Sequence, residues 1–548
     1  MTRTTSRLAL ATITLVAIGC QYRPAVFADR PVVMTVDDDA PIPVPSRRDV
    51  DETTQVSDVY FRRPLFDVVH PVEFPTAGDV NAVDEVPPSS WYDPTGTPSA
   101  ASPPMLPVTA VDEDPLTHPK ALVVRDARGQ RYELIGDPPG HPGLATGSDV
   151  VAGHLLRALG LRTPSAWIVD IPDVSLGHNG DAALARLDVF RARQDRTDGW
   201  PRRLSATRWP EGIDVGTSGD FMARGDDAND RVPHRDRRTL RAMRVFAHWL
   251  GWSSFSEHTT RDVYVGSAGS GHLLHHLVGM SSTLGAGDAW AVGRRERDPG
   301  LLVNLVTLGL STPTWADSSP SRFPSVGSLS PLIEPGTFDV TPPYSPFVRL
   351  TPADEYWAAK RLVDAIDEPV AIAAARLPDD AARHLATVLR MRRRALVEHA
   401  FRAVSPLDPA ATSGRAVWLR DRALVAHLVV ADETRYQIDL LDGNGASLAR
   451  TMHKNADGPE LAVVIPDRLS GRVVLHVRVT RSGVEAPRAC DVHLVVEGDS
   501  LKIIGVRHLG HGRDISHGTS DADLVAPWLH NHRTPARTTT SRAPRQKG

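Results

Sequence analysis

The side chains best suited to catalysis or metal binding in this 548-residue chain fall into small, scattered groups. His272, His275 and His276 are close in sequence, but neighbouring side chains on a strand point to opposite faces, which disfavours one shared metal ion. Ser281 and Ser282 lie in a glycine-flanked loop without a nearby base that would activate a nucleophile. The sequence has no G-x-S-x-G elbow, H-E-x-x-H helix or P-loop lysine motif. These groups predict neither a metal ion nor a cofactor.

The amino-acid composition disfavours several further classes of function and binding site. The formal net charge of −4 disfavours binding of nucleic acid by the whole chain, which favours a strongly basic surface. Two cysteines, Cys20 and Cys490, are too few for a disulfide framework, a cysteine–zinc domain or an iron–sulfur cluster. A mechanism that needs a lysine has few candidates, namely Lys120, Lys360, Lys454, Lys502 and Lys547.

The N-terminus has the pattern of a targeting segment. Arg3 and Arg7 precede an apolar run at residues 8–19, which is too short to cross a bilayer as a helix but suits a signal peptide. The run ends in VAIGC, which resembles the lipobox of bacterial lipoproteins and would make Cys20 the acylated residue. Ala17 departs from the usual leucine of that motif. The alternative is ordinary cleavage after Ala28, giving a secreted or periplasmic protein.

Residues 1–19 are therefore predicted to be a signal peptide, and residues 20–115 a mostly disordered tether. Sixteen prolines fall between residues 21 and 115, and such a composition buries too little apolar surface to offset the entropy of ordering. Within this tether, residues 79–91 carry a tryptophan and several apolar side chains, and could dock on a folded domain.

Periodicity then predicts an α+β core of two parts. A small α+β lobe with an insertion, residues 116–236, has a hairpin, a helix and a further strand, predicted at 122–135, 146–159 and 166–171. A mainly helical lobe, residues 237–410, has a strand pair at 262–280 and three helices, predicted at 237–251, 353–366 and 379–403. Four arginines of the first helix are interpreted as a solvated face: Arg237, Arg238, Arg241 and Arg244.

In residues 411–509 apolar and polar side chains alternate with a period of two residues. This segment is predicted to form a β-sandwich. Its strands are expected at 424–430, 436–441, 461–465, 473–479 and 492–496. On surface proteins such domains commonly bind a partner or act as spacers, so this domain by itself implies no enzyme. Residues 510–548 are basic after Leu529 and are predicted to be a disordered tail.

Several short segments between residues 79 and 409 resemble a family of uncharacterised secreted or lipid-anchored bacterial proteins. The matching segments are VPPSSW at 86–91, VRDARG at 124–129, GDPPG at 136–140, NDRVPH at 229–234, STLG at 282–285 and WAAK at 357–360. In that family the central region looks like a divergent protein-kinase-like fold. The resemblance implies a kinase-like two-lobed core followed by the C-terminal β-sandwich domain.

The resemblance also implies where a phosphoryl-transfer site would lie. Most of those positions hold residues that cannot perform the expected role. The phosphate-binding lysine position holds Ile135, and the positions of the catalytic aspartate, the metal-binding asparagine and the second metal-binding aspartate hold Ser254, Thr259 and Gly279. Only Asp149, on the helix where the family has an acidic residue, keeps its character. The site is thus interpreted as degenerate.

Two functions are considered. The first is a cell-envelope lipoprotein with a catalytically empty kinase-like scaffold, which binds an envelope protein or glycan and does not bind nucleic acid. The second is an active, divergent phosphotransferase with a rearranged metal site that uses Asp262 or Asp288. The first is favoured because neither isoleucine nor glycine can bind phosphate or Mg²⁺ through its side chain.

Overall fold

The structure is a computed structural model of a mixed α+β protein with several sheets. It describes residues 39–50, 57–69, 78–95, 101–115, 121–172, 174–176, 180–193, 203–287, 322–340, 342–442, 446–482 and 488–509. The predicted signal peptide 1–19, the predicted acylation site Cys20, the alternative cleavage site Ala28, the tail 510–548 and Asp288 lie outside these residues. Within the described chain, no helix is long and apolar enough to cross a membrane.

The described parts of the predicted tether are docked on the folded core, which differs from the expectation of a mostly disordered segment. Residues 39–50 form bridges from Ile42 to Gly271 and from Arg48 to Gly216. A helix follows, with π-helical bonding over Asp58–Arg62 and continuing as α1 (Arg63–Val69). Residues 78–95 bury Trp91 and Tyr92, so apolar anchors spaced between the prolines are sufficient to order these segments.

A six-stranded sheet with two helices follows. Its members are β1 (Val108–Ala110), β2 (Leu122–Arg125), β3 (Arg131–Gly136), α2 (Leu144–Ala158), β4 (Ala166–Val169), β5 (Val174–Leu176), α3 (Gly180–Arg193) and β6 (Leu204–Arg208). The strand order is β4-β6-β3-β2-β1-β5. The Asp126 carboxylate accepts from the backbone N–H groups of Arg128 and Gln130, both at 2.9 Å, which fixes the β2–β3 turn. Asp137 accepts from Ala145 and Thr146 at 2.9 Å and thereby caps α2.

The next part combines a small sheet with long helices. Its members are β7 (Ile213–Asp214), α4 (Arg238–Leu250), β8 (Thr260–Val265), β9 (His272–Leu277), α5 (Ser345–Val348), α6 (Pro352–Asp364), α7 (Glu368–Ala374) and α8 (Asp379–Ala403). Strands β7, β8 and β9 pair in that order. Helices α2, α4, α6 and α8 contribute side chains to one apolar core, to which the docked residues Val86 and Tyr92 also belong. The predicted helix at 379–403 is confirmed, and the Thr351 side chain caps α6.

Two antiparallel sheets form the C-terminal part. They are built from β10 (Leu407–Ser413), β11 (Ala416–Asp421), β12 (Thr434–Leu441), β13 (Met452–Asn455), β14 (Glu460–Val464), β15 (Gly471–Arg481), β16 (Arg488–Glu497) and β17 (Ser500–Leu509), with the helical turn α9 (Arg422–Val425) after β11. One sheet has the order β10-β11-β14 and the other β13-β12-β15-β16-β17. Buried side chains from both sheets share one core.

The predicted strand at 424–430 is wrong. The Asp421 carboxylate accepts from the backbone N–H groups of Ala423 at 3.1 Å and Leu424 at 3.4 Å, and so starts the turn α9 instead. An apolar run without strict alternation fits a buried helical turn as well as a strand. The sheets also begin at Leu407, four residues before the predicted boundary at 411.

Candidate functional site

Ile135 occupies the end of β3 and is buried. Its side chain belongs to a small apolar cluster with Leu144 and Ala145 at the start of α2 and with Ala286. Only 2% of Ile135 is exposed. The place where the resemblance expects a phosphate-binding lysine is therefore filled by aliphatic carbon, which offers neither charge nor a hydrogen-bond donor to a nucleotide.

Asp149 lies on α2 against the same sheet. Its Oδ2 accepts a hydrogen bond from the Thr207 hydroxyl of β6 at 2.7 Å. Ile135 pairs across the sheet with Ser205, two residues before Thr207, so Ile135, Ser205 and Thr207 share the sheet face that α2 covers. Burial raises the pKa of Asp149, although the Thr207 hydroxyl opposes this shift. Asp149 thus packs on the sheet face that also carries Ile135.

Ser254 and Gly279 meet at the turn that follows β9. The Ser254 hydroxyl donates to the Ser282 hydroxyl at 2.9 Å, and Gly279 has a φ of 82°, which opens the 3₁₀ turn Met280–Ser282. That turn packs on α2. The backbone carbonyl of Thr259 accepts from Val278 at 2.9 Å, next to Gly279.

The structure places Ile135 and Asp149 between the sheet and α2, and Ser254, Thr259 and Gly279 around the turn that follows β9. The Thr259 hydroxyl is used locally, since it donates to the Ser256 carbonyl at 2.7 Å. Ser254 and Thr259 offer neutral hydroxyls, and Asp149 is the single ionisable side chain of the set. Such a group could make hydrogen bonds to a ligand but cannot neutralise the charge of a nucleotide.

A denser group of ionisable side chains lies beneath Trp91, around Asp262 of β8. The Asp262 Oδ1 accepts from His275 Nδ1 at 2.6 Å and from the Ser218 hydroxyl, and its Oδ2 accepts from Arg224 Nη1 at 2.9 Å. The side chains of Asp262 and His275 are completely buried. Burial alone would raise the pKa of Asp262, but the contacts with His275, Ser218 and Arg224 outweigh it and lower the pKa to about 2.

Trp91 closes this cluster from the side of the docked segment. Its ring stacks on His275 at a centroid distance of 4.2 Å, and its edge meets His234 at 5.1 Å. The Ser90 carbonyl also accepts from the backbone N–H of His275 at 3.0 Å. The cluster is therefore sealed by a segment that the sequence analysis placed in the tether.

His234 lies between a backbone carbonyl and a buried carboxylate. Its Nδ1 lies 3.0 Å from the Gly219 carbonyl and its Nε2 lies 2.7 Å from Asp230 Oδ2. Burial would raise the pKa of Asp230, but the charges of His234 and Arg237 outweigh it and lower the pKa well below its usual range.

Serine, histidine and aspartate meet here without the geometry of a nucleophilic triad. In a triad the histidine bridges the serine and the aspartate. In this cluster Ser218 and His275 both bind the same oxygen of Asp262. The arrangement ties β8, β9 and the docked segment together, and its charges neutralise one another. Asp262, one of two metal ligands in the phosphotransferase hypothesis, uses both oxygens for these contacts.

The predicted solvated face of α4 is also wrong. Arg237, Arg238 and Arg241 are each at most 2% exposed. Arg238 Nε lies 3.0 Å from Asp354 Oδ1, and Arg241 lies at the same distance from Oδ2 of that carboxylate. The partners come from α6 and from residues 79–84, far away in the sequence. A local pattern of basic residues could not have shown that these charges are paired inside the protein.

A cavity of about 270 Å³ opens where the docked segment meets the C-terminal part, lined by Val83, Glu85, Asp408, Pro409, Ala410, Ala411, Arg422 and Ile503. Its polar groups already have partners. Arg422 Nε donates to Asp408 Oδ2 at 2.8 Å, and Lys360 pairs with Glu85 and, at 3.2 Å, with Asp408. Lys360, one of the few lysines, thus links α6 to the docked segment and to β10.

In the part of the chain that the structure describes, no group of three or more histidine, cysteine, aspartate or glutamate side chains is placed to hold a metal ion. The free thiol of Cys490 is buried, and burial raises its pKa well above the ordinary value. Comparisons of the chain with protein-family models, with curated proteins and with solved structures find no match.

Proposed function

We propose that the protein is a cell-envelope lipoprotein whose divergent kinase-like scaffold has no catalytic activity. The scaffold serves to bind a partner or acts as a structural spacer. The observation that carries the proposal is the environment of Ile135. Aliphatic side chains surround it, and in the described part of the chain the hydrogen bond to Asp149, on the helix that covers this sheet face, comes from the Thr207 hydroxyl. An active site for phosphoryl transfer would need a positive charge there.

The order of elements supports the kinase-like part of the proposal. The sheet with α2 precedes α4, the loop with Ser254 and Thr259 follows α4, and Gly279 follows the β8–β9 hairpin. This is the order in which the resemblance arranges the lysine strand, the acidic helix, the catalytic loop and the second metal-binding position.

The anchor and the partner complete the proposal. Acylation of Cys20 would hold the protein on the outer side of a bacterial membrane, and the alternative is a secreted or periplasmic form cleaved near Ala28. The partner would be an envelope protein or a glycan. The two C-terminal sheets support such a role because they provide an extended surface. The ionisable clusters described above are buried and paired.

A thermal-shift titration with Mg²⁺ and ATP, combined with a radiolabel transfer assay, tests the absence of catalysis. We expect no change in the midpoint of unfolding and no transfer of label to any protein. A saturable rise in the midpoint that disappears in Asp262→Asn would instead support the phosphotransferase with a rearranged metal site. The ligand-induced shift is the quantity to compare, since the substitution itself lowers stability.

Fractionation of cells tests the anchor independently. We expect the protein in the membrane fraction and the Cys20→Ser variant outside it. If Cys20→Ser stays in the membrane fraction, acylation at Cys20 is wrong, whatever the nucleotide experiments show.

A further inference from the structure

The middle of the five-stranded C-terminal sheet is buried on both of its faces. Side chains alternate between the two faces of a strand, so a sheet with one solvated face shows alternating burial, as β11 does. In β15, by contrast, the five consecutive residues 473–477 are buried, and in β16 the same holds for residues 490–494. Both faces of these two strands are therefore covered.

One of these faces belongs to the core between the two sheets, as the buried position of Leu475 shows. The opposite face carries Val474 and His476 on β15 and, directly across from them, His493 and Asp491 on β16. These four residues, which we call the covered face, are between 2% and 8% exposed. The extensive contacts of β15 and β16 are with other strands of the same sheet, which lie beside them and cover neither face.

The surroundings of His476 indicate that the cover is apolar. His476 Nδ1 lies 2.7 Å from Asp491 Oδ1. In the described part of the chain its Nε2 is buried and has no hydrogen-bond partner. A nitrogen that reaches neither water nor a polar group is in contact with carbon, because water or a polar side chain above the ring would form a hydrogen bond with it.

The chain that continues from this sheet contains a suitable apolar segment. Leu509 ends β17 opposite Ala489, two residues along the strand from the pair of Arg507 with Asp491, which is about 7 Å. The 39 residues that follow include the apolar run LVAPWL at 524–529. Fifteen residues lead from Leu509 to Leu524 and can span up to about 50 Å, whereas β17 and β15 are only about 10 Å apart.

The charges of the face and of the segment are complementary. Three arginines share the face with His476 and lie around its centre: Arg472, Arg478 and Arg507. The acidic side chains of the face have partners within the sheet region, since Asp491 binds His476 and Asp439 accepts from Thr451. Asp521 and Asp523 come directly before the apolar run and bring negative charge to this basic surrounding.

We propose that residues 524–529 pack across the covered face and complete the C-terminal domain. The proposal revises the expected disorder of the tail for this apolar run alone, and it depends neither on the anchor nor on the absence of catalysis. While the segment is bound, the face is closed to a partner. The outer face of the three-stranded sheet stays open, with Trp418 40% and Val464 62% exposed.

Photocross-linking identifies the occupant. Benzoylphenylalanine replaces Val525 in the full chain, and the linked peptides are located by mass spectrometry after irradiation. We expect links within one chain to residues 472–478 or 489–495. The same group in place of Thr539, beyond the apolar run, is the control and should give few links to these strands.

Modification of histidine tests the cover itself. Diethyl pyrocarbonate reacts with accessible imidazole nitrogens, and the exposed His453 of β13 gives the reference rate within the same molecule. We expect the rate at His476 relative to His453 to rise at least about fivefold in the full chain with Leu524→Ser and Trp528→Ser, because local opening controls access to a buried group. Trp418→Ser, which removes an exposed indole from the other sheet, should leave this ratio unchanged.

The outcomes separate the alternative occupants. Unchanged protection of His476 in the folded double variant would overturn the proposal, and so would links from position 525 to other parts of the chain. Links between two chains would also overturn it, since a second copy would then cover the face. The buried thiol of Cys490 stays unreactive only while the sheets are folded, and the cross-linking decides the question even if the double variant unfolds.

Discussion

Asp149 and Asp262 are both enclosed by protein, but their surroundings shift ionisation in opposite directions. Asp149 meets a hydroxyl, and burial raises its pKa; Asp262 meets Arg224 and His275, and its pKa is lowered to about 2. The first lies where the resemblance expects phosphoryl transfer, and the second lies in a sealed cluster. The position where the resemblance expects a phosphate-binding lysine holds an aliphatic side chain, and the charges of the Asp262 cluster are paired with one another.

The largest expected effect in this comparison is that of Asp262→Ala. Removing the carboxylate leaves the buried Arg224 and His275 without their main partner, which costs about 3–5 kcal/mol of unfolding free energy. Chemical denaturation measures it. Asp467→Ala is the control, since this side chain is 99% exposed and lies 3.3 Å from Arg415, and we expect no measurable loss. Similar losses in both variants would contradict the account of the Asp262 cluster.

Trp91→Ala tests whether the docked segment is part of this cluster. Loss of a buried indole costs about 3–4 kcal/mol, and the segment around residue 91 should become sensitive to protease. Trp418→Ala removes the same side chain from a site that is 40% exposed and should cost much less. If the two variants were equally stable, the sealing of His275 by Trp91 would not contribute to stability.

An intermediate effect is expected when the missing lysine is restored. Ile135→Lys buries a charge and destabilises the protein, but Asp149, on the helix that covers this sheet face, can partly neutralise it. The cost should therefore be larger in the Asp149→Asn background, with a coupling free energy of about 1–3 kcal/mol. A double-mutant cycle by denaturation measures this coupling. Additive effects would show that positions 135 and 149 do not face each other.

The smallest expected effect is that of Asp149→Asn alone, and it depends on pH. Because the pKa of Asp149 is raised in the folded state, its contribution to stability is present at low pH and is lost as pH rises through the folded pKa. Asn keeps an acceptor for Thr207 and does not ionise. The variant should be more stable than the wild type at neutral pH, by roughly 1 kcal/mol, the scale of one buried hydrogen bond.

Unfolding free energies measured between pH 4 and pH 8 check this sign. The advantage of Asp149→Asn should shrink towards pH 4, where the wild-type carboxyl is protonated in the folded state. An advantage that grows at low pH would mean that the pKa of Asp149 is lowered, and an unrecognised cation would have to lie beside it.

Sequence periodicity was sufficient for much of the helical and sheet structure. Helix α8 and the β8–β9 hairpin follow from spacing and glycine turns, because their apolar faces are local properties of the chain. That Ile135 and Asp149 meet the same sheet face could not be read from periodicity, because they belong to two separate elements.

The pairing of buried charged side chains could not be predicted from sequence periodicity. Asp262 meets residues such as Ser218 and Arg224, 44 and 38 positions away, and Arg238 meets Asp84 across 154 positions. A basic helix face and a proline-rich segment look solvated or disordered when each is considered alone. Their pairing exists only after the fold has brought them together.

Calorimetric titration of Mg²⁺ and ATP into the full chain tests the central claim most directly. A site without the phosphate-binding lysine, in which the catalytic position holds Ser254 and the metal positions hold Thr259 and Gly279, should give no saturable heat of binding up to millimolar nucleotide. Saturable heat with a stoichiometry near one, reduced in Ile135→Glu but unchanged in Asp467→Ala, would contradict the account and locate a working nucleotide site near position 135.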